Sequence, residues 1–254
     1  MMILLSPAKI MTGNSQVRAP FATKPLFVQE ASDIIMQMAQ FRVNDLRSIL
    51  KLNPAMALES YCRFQEFHSE DNVPLQAILT YAGTVYRELN PKDFTEKDYL
   101  FSQENLRIVS ICYGLLRPLD LIKPYRMEYD VKLPELGDGN MYIFWRNRLT
   151  DVLIEQVNEN GGLLINLASS EVRPAFDWMK VKKAVRIITP EFKVFRDGKL
   201  KTIVIYAKMA RGQMTRFIIK NKITDPEELK NFYWEGFSYN ESLSTENRWT
   251  FVQE

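Results

Sequence analysis

Three apolar runs in this chain each end in residues that can hold or move a charge. "ILLS" leads into "SPAK", which closes on Lys9. "SICYG" leads into "LLRPLDLIKPYRMEYDVK", which carries Arg117, Asp120, Lys123, Tyr125, Arg126 and Glu128. "LLIN" leads into "LASSEVRP", with Asn166, Ser169, Ser170 and Glu171. A fourth stretch, "YAKMARG", adds Lys208 and Arg211 to the same rim if it ends beside the others. A lysine in a partly desolvated cleft becomes a base or nucleophile, and a carboxylate beside it takes protons. Tyr125 or Ser6 would then donate to a developing charge. On this reading Lys9, Tyr125, Glu128 and Glu171 act on a small anionic or nucleotide-like substrate. A plainer reading stands beside it. Glu128 and Glu171 hold arginines in place, Arg117 pairs with Asp120 in a proline-stiffened loop, and "NLASSE" is a helix cap.

Both readings need the apolar runs to be strands whose ends meet, because ligands in open sheets collect where strand ends leave their loops. "MMILLSPAK" reads as a short buried strand, as do "LRIVSICYG" (106–114) and "LLINLAS". "VRIITPEFKVFRDGKLKTIVIYA" reads as a hairpin turning at Asp197-Gly198. Between the first two strands lie an irregular stretch and then a helical region reaching about residue 104. "PLFVQEASDIIMQMAQF" has helical spacing, and "VNDLRSILKLNPAMALESYCRFQEF" reads as two helices around Asn53-Pro54. "MYIFWRNRLTDVLIEQVNEN" is an amphipathic helix ended by Gly161-Gly162. Strands and helices mix without βαβ repetition. The fold class expected is α+β (mixed α/β), one domain over residues 1–254 with a mixed central sheet surrounded by helices.

Charge is segregated along the chain. The net charge of +2 hides residues 180–222, where thirteen Lys and Arg face only Glu191 and Asp197. The segment "YAKMARGQMTRFIIKNK" (206–222) has five cations and no carboxylate. On a helix, its Ala210, Met214, Phe217 and Ile218 share one arc that faces a core. Lys208, Arg211, Thr215 and Lys222 fall on a neighbouring arc, with Arg216 and Lys220 further round. Such asymmetry points to an anionic partner. Other functions lose ground. One histidine, His68, and two cysteines without ligand spacing argue against a zinc site or a histidine-based nucleophile system, so no metal is expected. No phosphate loop and no Gly-x-Gly-x-x-Gly is present, and no cofactor is expected. No apolar run approaches the roughly 20 residues of a membrane span, and the start lacks a basic region before its apolar residues. A cytoplasmic protein without membrane contact, with reduced thiols at Cys62 and Cys112, is the expectation.

"MILLSPAK", "YGLLRPLDLIKPYRMEY", "NLASSE" and "YAKMARGQMTRFIIKNKI", in this order and spacing, resemble the YaaA family of bacterial peroxide-stress proteins. The similarity extends to "WEGFSYNESLSTENRWTF", and so covers nearly the whole chain. The resemblance implies a cytosolic protein protective against hydrogen peroxide and associated with lower free intracellular iron. It also implies DNA binding by a single-domain fold with a basic cleft and a helix-hairpin-helix element, which maps by position onto about residues 43–66. That hairpin contains no glycine; Lys51, Asn53 and Arg63 are what it offers, and a packed helical pair is the alternative. No base-reading module is recognisable, so binding would follow phosphate backbone and shape. The residues expected to line the anion site are Lys9, Arg117, Lys123, Arg126, Lys208, Arg211 and Arg216, joined by Lys51 and Arg63.

Overall fold

Residues Met2–Leu5, at the start of the chain, are all buried and have a strand on each side. The computed structural model describes residues 1–196 and 198–253. In chain order the strands are β1 (Met2–Leu5), β2 (Leu75–Gln76), β3 (Leu106–Ser110), β4 (Gly114–Leu116), β5 (Leu121–Ile122), β6 (Leu163–Asn166), β7 (Arg186–Arg196), β8 (Lys199–Lys201), β9 (Phe237–Tyr239) and β10 (Arg248–Gln253). The main sheet runs β4-β3-β1-β6-β7-β10-β9, and β8 pairs with β7. From β3 to β10 every neighbour on this path is parallel; β4, β8 and β9 are antiparallel additions. Ile3 sits opposite both Leu106 and Ile165. Central parallel strands covered on both faces read as unbroken apolar runs, which is why β1, β3 and β6 show no alternation. β2 and β5 form a separate two-stranded ribbon.

The helices are α1 (Val28–Met38), α2 (Val43–Ile49), α3 (Pro54–Gln65), α4 (Ala77–Thr80), α5 (Thr84–Leu89), α6 (Glu96–Asn105), α7 (Met141–Glu159), α8 (Trp178–Ala184) and α9 (Val204–Asn221). α7 buries Met141, Trp145, Leu149, Leu153 and Val157, a run of fourth residues along one stripe, and Trp145 donates its indole N–H to the Ile111 carbonyl at 2.6 Å. Asn53 caps α3 by accepting from the Met56 amide, and Pro54 occupies its first turn. In α9, Ala210, Met214 and Ile218 are buried as the arc predicts, with Phe217 partly so. Gly212 lets that helix lie against α5, because a Cβ there would sit 2.3 Å from the Val85 carbonyl oxygen. The result is the expected mixed α/β single domain.

Three boundaries differ from the sequence expectation. The run 106–114 is one strand only to Ser110; the chain turns at Ile111–Tyr113 and returns as β4. Gly114 permits this with φ +72°, and an added Cβ would meet the Trp145 ring at 2.7 Å. The helical region before residue 104 contains β2, which owes its place to pairing with β5, Leu75 opposite Ile122 and Gln76 opposite Leu121, not to local propensity. The hairpin forms, with Arg196 opposite Lys199, though Asp197 of its turn lies outside the described residues. Its second arm stops at Lys201, and "VIYA" opens α9 instead. A longer arm would run back along β7 toward Arg186–Ile188, which already pair with β6.

Candidate functional site

Parallel pairing of β1 with both β3 and β6 brings the C-terminal ends of three strands out at one edge of the sheet. Hydrogen bonds then lock the loops together. The Leu167 amide donates to the Leu4 carbonyl at 3.0 Å. Ser6 Oγ accepts from the Ser169 amide at 2.8 Å and lies 3.1 Å from Ser169 Oγ, so the two hydroxyls hold each other and not a helix cap. From α5, Tyr86 donates its hydroxyl to the Ser6 carbonyl at 2.8 Å. Below them Tyr125 is buried, its hydroxyl 2.8 Å from Ser110 Oγ and 3.1 Å from the Tyr81 hydroxyl. Burial pushes the Tyr125 phenol up to about 12, so it is a neutral hydrogen-bonding floor.

The stretch from Tyr125 to Leu133 alternates strictly. Tyr125, Met127, Tyr129, Val131 and Leu133 are buried, while Arg126, Glu128, Asp130 and Lys132 are not. An extended chain with one face in the core must present its charges on the other. There, Lys9 Nζ contacts both Glu128 oxygens at 2.6 and 2.7 Å. Arg126 adds a longer contact to Glu128 at 3.5 Å and one to the Lys9 carbonyl at 3.4 Å. Around this knot the cleft has three lobes, each walled by Lys9 and Glu171. The inner lobe, about 50 Å³, reaches Ser6, Tyr125 and Tyr129. A second, about 370 Å³, opens toward Lys51, Asp130 and Tyr142, whose ring stacks on Tyr129 at 4.4 Å. The third, about 260 Å³, runs to Gly83, Thr84, Ser169, Lys208 and Arg211.

Among the described residues, four buried side-chain polar atoms lack a hydrogen-bond partner: Arg126 Nε, Tyr129 OH, Asn166 Oδ1 and Arg211 Nε. Three belong to residues that line the cleft, and the fourth ends β6, the strand feeding it. Buried polar groups are normally satisfied, so these atoms mark where the cleft has hydrogen-bonding capacity to offer a ligand or water. Burial, and then the neighbouring Arg173, lower the Arg211 guanidinium's affinity for its proton. Burial raises the Tyr129 phenol well above its ordinary value.

Of the residues expected at the anion site, the fold brings Lys9, Arg126, Lys208 and Arg211 together, with Glu128, Glu171 and Tyr125 beside them. Lys51 lines the second lobe but pairs with Asp130 at 2.6 Å. The others lie elsewhere, and each already has a partner. Arg117 binds Asp120 through Nε and Nη2 at 3.1 and 2.9 Å and also reaches the Lys24 carbonyl, the plainer reading of that loop. Lys123 donates to the Phe67 carbonyl at 2.6 Å and sits over its ring. Arg63 pairs with Glu59 one turn away on α3. Arg216 grips Asp93 with two bonds of 2.7 and 2.6 Å. Lys220 and Lys222 both bind Asp98, which is buried at the start of α6.

A second basic surface lies across the 3-10 turn Ser170–Ala175, which puts Glu171 in the cleft and Arg173 outside it. There a groove of about 670 Å³ is lined by Arg173, Trp178, Lys182, Arg186, Glu191, Glu246 and Arg248, among others. Glu191 is taken by Lys193 at 3.1 Å, and Arg173 lies over the Trp178 ring at 5.7 Å. The +11 charge of residues 180–222 signals Lys182 and Arg186, whereas Arg173 and Arg248 come from segments with no such signal. Tyr129 is not among the residues expected from the sequence; the alternation of "YRMEYDVKL" is the signal that points to it.

Residues 1–243 match the family model described as "Peroxide stress protein YaaA". The chain is 61% identical over 254 residues to a "UPF0246 protein" of Parabacteroides distasonis, covering all of both chains. Identity to one from Bacteroides thetaiotaomicron is 53% over 252 residues, covering 99% of this chain and 98% of that one. A "UPF0246 protein" of Clostridium perfringens is 36% identical over 258 residues, covering all of both.

Proposed function

The chain belongs to the peroxide stress protein YaaA family, and on that premise we propose that it acts in the cytoplasmic response to hydrogen peroxide by binding DNA along its phosphate backbone. The observation that carries this reading is the contrast in charge pairing. Lys180, Lys193, Arg216, Lys220 and Lys222 are bound to the protein's own carboxylates, but Arg173, Lys182, Arg186 and Arg248 are exposed around one groove with no ion pair among the described residues. Exposed cations held near one another, beside an aromatic ring, suit a backbone that offers a phosphate every few ångströms. Lys208 extends the track toward the cleft mouth. The α2–α3 pair is a second contact in this proposal, since an exposed pair such as Lys51–Asp130 exchanges its partner for phosphate at little cost. Contacts of this kind position a duplex without reading its sequence.

Fluorescence anisotropy of labelled duplex and single-stranded DNA across a salt series tests the proposal. The wild type is expected to bind with a steep salt dependence, and Lys182→Ala/Arg248→Ala to lower the slope by about two units. Absence of binding near 0.15 M salt, or a slope unchanged in the double variant, would overturn it.

A further inference from the structure

We propose that the cleft at the strand ends is a separate binding site for a small phosphomonoester of about mononucleotide size, such as a sugar phosphate or nucleoside monophosphate. The unpartnered atoms divide into two groups with different chemistry. Arg211 is a largely buried guanidinium on α9 whose Nε has no acceptor, with Lys208 one turn away on the same lobe. No carboxylate pairs with it among the described residues. A buried guanidinium wants an oxyanion, and its planar fork matches phosphate. At the inner end, Arg126 shares Glu128 with Lys9, and the lobe it lines sets Glu128, Asp130 and Glu171 against Lys9, Lys51 and Arg126, so charge there is balanced. What its Nε and the Tyr129 hydroxyl lack is an acceptor oxygen, not a counter-ion. Tyr129 is only 4% exposed, yet it lines two lobes.

Glu171 stands between the two ends with no hydrogen bond among the described residues, ready to accept from a ligand hydroxyl or N–H. A ligand with an anionic end and a neutral end bearing both acceptor and donor groups answers all three. The lobes, of about 260 and 370 Å³ with the small inner one between shared walls, fall in the size range of small-molecule sites. Duplex DNA cannot meet the inner requirement, because Tyr129 is beneath the surface. The site is also built before any ligand arrives, since Ser6, Ser169 and Tyr86 hold its loops together.

Isothermal titration with inorganic phosphate, ribose 5-phosphate and adenosine 5′-monophosphate tests the inference. Saturable binding of a phosphomonoester is expected, with inorganic phosphate weaker. Arg211→Lys, which keeps the charge and removes the fork, should weaken all three probes about tenfold. Tyr129→Phe should weaken the two phosphomonoesters about five-fold and leave inorganic phosphate unchanged. Circular dichroism establishes that each variant is folded. Lys182→Ala/Arg248→Ala should bind the probes like wild type, which separates this site from the DNA-binding face. No saturable binding at millimolar probe, or both cleft variants binding like wild type, would mean that water alone fills the cleft and would overturn the inference.

Discussion

The two ends of α9 have similar sequences and opposite fates. Toward its C-terminus, Arg216, Lys220 and Lys222 are consumed by Asp93 and Asp98, carboxylates more than a hundred residues away in sequence. Toward its N-terminus, Lys208 and Arg211 face the cleft with no carboxylate bound among the described residues. The first group fastens the helix to α6 and the turn before it; the second is available to a ligand. A count of cations along the helix cannot separate them, because availability depends on what the facing element carries. The same division runs through the whole molecule, with Arg117 and Arg63 on the structural side and Arg173 and Arg248 on the other.

Breaking the platform both ends share should have the largest effect. Gly212→Ala places a Cβ against the Val85 carbonyl, where backbone must move, and is expected to cost about 3 kcal/mol in urea denaturation. Asp98→Ala should come next, at about 2 kcal/mol, since it strips two lysines of their partner and removes the capping box of α6. This variant also carries a pH signature. Burial alone would raise the Asp98 carboxyl, but hydrogen bonds from Lys222, Thr95 and Lys220 hold it well below the usual range. A depressed carboxyl contributes stability that is complete above the unfolded value near 3.9 and is lost as pH falls through the native one. Denaturation between pH 5 and 2 should therefore weaken wild type more steeply than Asp98→Ala; parallel curves would refute the assignment.

A sharper comparison sets single changes at the two ends of α9 side by side. Arg216→Ala should cost about 1 kcal/mol and leave the DNA salt slope alone. Lys208→Ala should leave stability alone and reduce the slope by about one unit. The reverse pattern would exchange the roles argued for the two ends. Smallest of all, Arg63→Ala loses one pair along α3 and should shift stability by about 0.3–0.5 kcal/mol, read by thermal melting.

Much of the architecture was legible locally. Unbroken apolar runs mark β1, β3 and β6 because a parallel strand covered on both faces has no polar side, and Asn53-Pro54 and Gly161-Gly162 mark helix ends through backbone chemistry confined to a few residues. The cleft was legible in part. Its strand-end turns carry Lys9, Arg126 and Glu171, and "YRMEYDVKL" alternates as an extended chain with one buried face must. What resisted reading depends on partners distant in sequence. Lys9 meets Glu128 across 119 residues, β2 exists only because β5 pairs with it, and a longer β8 would run toward the part of β7 that β6 holds. The sequence by itself determined the elements, their apolar faces and the excess of cations in residues 180–222. Only the tertiary structure decided which of those cations are spent on Asp93 and Asp98 and which stay free for a ligand, because charge pairing acts over a few ångströms in space and is indifferent to distance along the chain.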